Sequence, residues 1–364
     1  MIETKYIASL HRPFNQQLKT SKWVCSFIAS LKKPISSSQL LPQFYYYLIV
    51  ILEKEYKKER PSTFNGLPSD LAVNNIYHYI HKSTQKTNFL IELPSFIRSR
   101  NTALDKQIYS TYKAASYYLN LAKDKFGLIN IKNELTEKGK ELLKIKSNFF
   151  NISSKEAEFY FKRILEADFH LFITHCLFLK LAQKYKLKSF ISEQAEFITK
   201  YLEIKHFNFT SASLSNYCIV RNSWVESLDI IDANKNIRKK YMEIVAKNVH
   251  YLIWFEKLKG QLKTFENESF KARTVYVKRK AEFLNLYKES LGNSKNDLDF
   301  INLHDLKREM RISTDNFQKF LVEFYESEKS SKNIFFSNIV NSIDTRTRFY
   351  IRSRPVIKIK IKDK

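Results

Sequence analysis

The chain is poor in the residues that make turns. Of 364 residues only 5 are Gly and 7 are Pro, where average usage gives about 12% for the two together. Propellers and all-β sandwiches need many tight turns, so both are excluded. No two of the glycines at 66, 127, 139, 260 and 292 stand close enough for G-x-G-x-x-G or a Walker A loop, so the common phosphate-cradling signatures are missing. Cysteine is scarce too. Cys25, Cys176 and Cys218 are odd in number and have no C-x-x-C spacing. They read as buried thiols, without a disulfide frame or a zinc site. The longest apolar stretch, Phe44 to Leu52, is too short to span a bilayer. The first residues, Met-Ile-Glu-Thr-Lys-Tyr, hold no apolar run of the signal-peptide kind. The expectation is a cytoplasmic protein with no membrane partner.

What the chain has is positive charge: 62 Lys and Arg against 37 Asp and Glu, a net +25. Solubility needs a magnitude of about 2 to 8. The excess points to a polyanionic partner, because Lys and Arg release counterions from phosphates. At 44% hydrophobic residues the chain can also bury a real core.

Six prolines (13, 34, 42, 61, 68, 94) precede residue 95 and none falls in 95–354. Short, proline-punctuated helices are expected first and long ones afterwards. Residues 39–58 read as an apolar helix, 59–70 as a loop, with Ser69 or Asp70 capping the next helix. In 102–145 the apolar residues Ile108, Tyr112, Ala115, Leu119, Ala122 and Phe126 fall on one helical stripe. Gly127 suits a left-handed stop. Leu128 to Ile131 reads as a short strand, and Leu135-Thr136-Glu137-Lys138-Gly139 enters another helix.

This phrase resembles the end of a bacterial winged helix-turn-helix DNA-binding domain. The resemblance implies that Lys106, Gln107, Ser110, Thr111 and Lys113 face DNA, with Lys132 and Lys138 near phosphates. The alternative is a winged helix packed on protein with a solvated polar face.

Residues 150–290 read as helical. Ser153 and Glu156 form a capping box, and Phe159 to Phe178 reads as a buried helix. Ser213 caps a second stripe of Leu214, Tyr217, Trp224, Leu228 and Ile231. Its end, 223–231, echoes the first helix end, with Asp229 in the place of Gly and no Leu-Thr-x-x-Gly after it. Trp224 reads as core.

In 296–364, His304 to Met310 reads as a helix, Arg311-Ile312-Ser313 as a turn, and Thr314 to Glu328 as a helix capped by Ser313. Its core positions are Phe317, Phe320, Leu321 and Phe324. This is helix-turn-helix spacing. Asn333 to Val340 is a candidate strand, and Pro355 to Lys362 alternates Ile with Lys at period two. Residues 345–364 carry four Arg and four Lys against one Asp, a net +7. The whole again resembles a winged helix, which places Arg346, Arg348, Arg352, Arg354, Lys358 and Lys360 along phosphates or in a minor groove. Lysines on an edge strand also block aggregation. Lys271, Arg273, Lys278, Arg279 and Lys280, and the run Arg238 to Lys240, extend a possible phosphate-tracking surface.

No catalytic, metal or cofactor site emerges. His78 and His81, and His170 and His175 near Cys176, lack the third and fourth ligands zinc requires. They read as core or boundary histidines. Glu203-Ile204-Lys205 lacks a neighbouring carboxylate strand for nuclease chemistry.

The expected fold is mostly α, a helical body with winged-helix modules near 70–145 and 296–364. The expected domains are 1–148, 149–290 and 291–364. The expected function is non-enzymatic binding of double-stranded DNA, as an accessory component of a bacterial defence or mobile-element system. Alternatives are a kleisin-like subunit of an SMC-type ATPase complex, or a plasmid replication initiator. An ATPase or nuclease subunit is an expected protein partner in the assembly case.

Overall fold

The computed structural model describes residues 17–61, 63–83, 86–187, 190–202, 211–293, 299–330, 332–337 and 348–363. The fold is mostly α. Packing divides it into two compact units, Met1–Leu262 and Lys263–Lys364. Residues 1–148 and 149–262 thus share one unit.

In the first unit, α1 (Thr20–Ser30), α2 (Ser37–Lys58), α3 (Asp70–Ser83), α4 (Lys86–Ser99) and α5 (Ala103–Asn120) pack together. Phe44, Tyr45, Leu48 and Leu52 of α2 are buried with Val73, Ile76, Phe89, Ile108 and Ala115 from its neighbours. The prolines punctuate less than expected. Pro42 and Pro94 lie inside α2 and α4, and α2 runs 22 residues. Thr102 and Asp105 close a capping box on α5, which continues as a π-helical turn, Leu121–Lys125. The expected stripe is the buried face. Gly127 follows at φ +58°. The expected strand at 128–131 is reduced to one bridge, Ile129 to Leu135, before α6 (Glu137–Lys144). Gly139 is required there, since a Cβ on it would lie 2.3 Å from the Leu128 carbonyl oxygen.

Next come α7 (Ser154–Lys184), α8 (Ile191–Tyr201), α9 (Ser211–Ser227), α10 (Lys239–Ala246) and α11 (Val249–Phe265). Ser213 is not the cap of α9; it lies inside the helix. The backbone repeats the helix end with an offset of 102 residues. Asp229 (φ 52°) takes the place of Gly127, and Lys235 (φ 58°) that of Asn133 (φ 63°). The bridge Ile231 to Ile237 matches Ile129 to Leu135. The bonds Asn130 N to Glu134 O and Thr136 N to Leu128 O recur as Asp232 N to Asn236 O and Arg238 N to Ile230 O. The second turn therefore forms without the glycines, because Asp tolerates the left-handed region better than most residues.

Buried charges tie this unit together. Glu156 accepts from Lys19 (2.7 and 2.9 Å), Lys22 (2.7 Å), the Ser147 hydroxyl (2.6 Å) and the Ser153 amide (3.0 Å). Helix α7 leaves helical geometry at Asp168 (φ −153°, ψ 30°), whose Oδ2 accepts from Arg221 Nε at 2.9 Å and ion-pairs with its Nη2 at 2.6 Å.

The second unit holds a π-helical turn, Glu266–Lys271, then α12 (Ala272–Asn293), β1 (Ile301–Asn302), α13 (Leu303–Glu309), α14 (Thr314–Glu328), β2 (Lys332–Ser337), β3 (Phe349–Ile351), β4 (Arg354–Val356) and β5 (Lys358–Asp363). The two expected helices and the turn between them are present, with Ser313 Oγ capping Asn316 N. Phe317, Phe320, Leu321 and Phe324 pack with Phe283, Leu306, Phe349 and Ile359. Each buried side chain of this kind stabilises by about 1.5–3 kcal/mol. The sheet order is β1-β5-β2, all antiparallel, and β3 and β4 form a separate hairpin.

Candidate nucleic-acid interface

The charge of the second unit is concentrated at one end. Residues 263–344 hold 14 Lys and Arg against 13 Asp and Glu, nearly neutral, whereas 345–364 carry the net +7. The alternation of Ile and Lys in β5 sorts the sheet into two faces. Ile359 is buried and Ile361 packs on the core. Lys358, Lys360 and Lys362 project to the other face. Lys358 and Lys362 have no ion-pair partner among the described residues. Lys360 lies 3.2 Å from Asp299, with its ammonium 5.8 Å from the Phe300 ring centroid. Edge protection does not account for these lysines. Strand β5 is the central strand, and β2 is an edge.

The hairpin β3–β4 turns at Arg352 and Ser353, both at positive φ (47° and 64°). This is the signature of a type I′ turn, here without its usual Asn-Gly. Arg352 reaches back to Glu326 of α14 (3.0 and 3.4 Å) and lies over the Tyr325 ring. Lys329 and Arg352 hold the Glu326 carboxyl below its ordinary pKa. Arg354 is exposed and has no such anchor. Arg348 is half-buried, and Arg346 lies outside the described residues. Arg352 and Arg354 also line a groove of about 540 Å³ with Tyr325, Ile334, Phe336 and Ile351.

Helix α14 itself is acidic. Asp315, Glu323, Glu326 and Glu328 face a single Lys319, a net −3. On α12, Lys278 is exposed, Arg279 is half-buried and Lys280 pairs with Glu328. The net negative α14 repels phosphate, whereas the strand and the hairpin carry the positive charge of this unit.

In the first unit, α5 sorts the predicted residues. Lys106, Ser110, Lys113 and Tyr117 recur at helical spacing and are all exposed. Gln107 accepts from Asn75 at 3.3 Å. Thr111 does not face solvent. It is 3% exposed, with its hydroxyl 2.8 Å from Tyr45 and also bonded to the Gln107 carbonyl. Lys132 is exposed on the turn, and Lys138 pairs with Glu166 at 2.8 Å. Arg238 pairs with Asp229 at 2.8 Å.

No group of three or more metal-capable side chains occurs among the described residues. His175 is wholly buried between Gln194 (3.3 Å) and Asn222 (2.8 Å). Burial pushes its pKa down to about 4, and that of His170 likewise. The three cysteines are free and buried, and burial pushes the Cys25 thiol up to about 12. Glu203 to Lys205 lie outside the described residues. Among the described residues no helix is long and apolar enough to cross a membrane.

Sequence reasoning missed the outward-facing Phe335, 49% exposed on β2. The alternation Asn333-Ile334-Phe335-Phe336-Ser337 held the signal. It also missed the acidity of α14, which a count over 314–328 gives directly. No protein-family model, curated protein or solved structure matches the chain.

Proposed function

We propose that the chain is a non-enzymatic DNA-binding protein whose second unit holds duplex phosphates with β5 and the hairpin β3–β4. The observation that carries this is the separation of charge within that unit. A nearly neutral helical part supports a strand and hairpin with Arg354, Lys358 and Lys362 outside any ion pair among the described residues. The order helix, short strand, helix-turn-helix, strand, hairpin, strand supports the resemblance to winged helices. The acidic α14 argues against that helix as the reading element. The exposed stripe Lys106, Lys113 and Tyr117 is a second phosphate contact on the first unit.

The reading is tested by replacing Arg354, Lys358 and Lys362 with Gln together and measuring duplex affinity. Each lost phosphate contact lowers the slope of log affinity against log salt by about 0.9. An unchanged slope sinks the assignment to this strand and hairpin.

One observation favours a second reading, a kleisin-like assembly subunit. The acidic outer side of α14, with Val322 39% exposed beside Glu323, suits a basic protein surface. Co-purification of an ATPase that is lost on charge reversal in α14 supports that reading over the first.

A further inference from the structure

The outer face of the β1–β5–β2 sheet carries an aromatic ring among its lysines. Directly opposed residues of an antiparallel pair project to the same side. Asn333, Phe335 and Ser337 of β2 stand opposite Lys362, Lys360 and Lys358 of β5, and Asn302 of β1 stands opposite Lys358 as well. Their neighbours Ile334, Phe336, Ile359 and Ile361 belong to the core side. Phe335 breaks the pattern. The buried phenylalanines of this unit are at most 3% exposed, yet Phe335 is 49% exposed on the polar face.

A flat ring flanked by cations is the arrangement that binds unpaired nucleotides. The ring offers a stacking surface to any base, and the cations follow the backbone. A duplex hides its base faces within its own stack, so a ring lying on a sheet surface gains nothing from it by stacking. Alternate residues on β5 lie about 6.8 Å apart, on the order of one extended nucleotide step. Asn333 and Asn302 add donors and acceptors for base edges.

We propose that this sheet face holds an unpaired nucleic-acid strand, with one base stacked on Phe335 and phosphates on Lys358 and Lys362. The proposal rests on the nucleic-acid reading above and narrows its ligand. Lys358 and Lys362 serve duplex and unpaired strand alike, so the two ligands compete for this face, and stacking on Phe335 is open to the unpaired strand alone.

The test uses the full chain and fluorescein-labelled probes of about 20 nucleotides: oligo-dT, oligo-U and a duplex of matched length. Phe335→Ala is expected to weaken single-strand binding about tenfold and to leave duplex binding within about twofold. Phe335→Trp retains single-strand affinity. The native tryptophans, 23, 224 and 254, all lie in the first unit, so the emission added by Phe335→Trp reports the sheet, and it is quenched on binding. Tighter binding of oligo-dT than oligo-U identifies the strand as DNA, and the reverse identifies it as RNA. If Phe335→Ala binds both strands as wild type does while duplex binding persists, the stacking site is overturned and the DNA-binding reading stands. If Phe335→Ala weakens single-strand and duplex binding equally, stacking is overturned as well. If the wild type binds none of the probes, both readings fall.

Discussion

The Gln318 carboxamide holds both backbone groups of Tyr350. Its Nε2 donates to the Tyr350 carbonyl at 2.7 Å, and its Oε1 accepts from the Tyr350 amide at 2.8 Å. One side chain of α14 thus completes the hydrogen bonding of a residue in β3, while the Phe317 and Phe349 rings pack tilted at 58°, their centroids 4.9 Å apart. The hairpin is fixed to the helix, and Arg354 is presented from a rigid base.

Gln318→Ala removes both bonds and leaves the Tyr350 backbone to water. The expected loss is about 1–3 kcal/mol in the second unit, read by denaturant unfolding, with weaker duplex binding. Gln318→Glu keeps the acceptor for the Tyr350 amide and is expected to lose less.

Arg352 and Ser353 occupy left-handed backbone without glycine. Each non-glycine residue there costs on the order of 1 kcal/mol. Ser353→Gly is therefore expected to preserve or raise the unfolding midpoint of the second unit. A clear drop would contradict the turn assignment.

Gly139→Ala is expected to destabilise the first unit by about 1–3 kcal/mol, since the added methyl meets the Leu128 carbonyl. The same change at exposed Gly260, where nothing lies within 4 Å of an added Cβ, is expected to be stabilising by up to about 1 kcal/mol. Thermal melts of the two variants separate a packing requirement from a helix-propensity effect.

Acid is expected to weaken the first unit in two stages. His170 and His175 stay neutral in the fold, with pKa values near 4 against an ordinary 6.5. Protons then bind the unfolded chain first, so stability falls as pH drops from about 6.5 to 4. Burial alone would raise the Glu156 pKa. The bonds from Lys19, Lys22, Ser147 and Ser153 outweigh it and hold the carboxyl below its ordinary value. Its contribution is present above that ordinary value and is lost as pH falls through the lower folded one. His175→Gln is expected to flatten the first stage, and Glu156→Gln to cost about 3–5 kcal/mol at neutral pH by stranding two lysines. Urea midpoints across pH check both.

The helices were legible wherever one face is apolar and a cap precedes it. The stripe from Ile108 to Phe126, Ser153 with Glu156, and Ser313 before Thr314 all read directly from residue spacing. The helix pair of 303–328 was legible for the same reason. The second helix end was legible only as an echo over 223–231; its turn through 237 was hidden because Asp229 and Lys235 adopt a left-handed backbone without glycine. The role of β5 was hidden too. Alternating Ile and Lys fixes a strand with two faces, but whether it is an edge or a centre depends on pairing with β1 and β2. Thr111 was misplaced because a hydroxyl one residue from an exposed serine turns inward on a helix, where Tyr45 waits for it. Asp168, at the kink of α7, is bonded to Arg221, 53 residues away, a pairing that no local pattern connects.

The role proposed for Arg354, Lys358 and Lys362 is to carry duplex DNA by its phosphates. The direct measurement is fluorescence anisotropy of a labelled duplex over a salt series, from about 50 to 200 mM, with the wild type and the triple Gln variant. The expected result is a steep linear fall of log affinity with log salt for the wild type, and a slope shallower by about 2.7 for the variant. A wild type that shows no binding at low salt, or identical slopes for the two proteins, would contradict it.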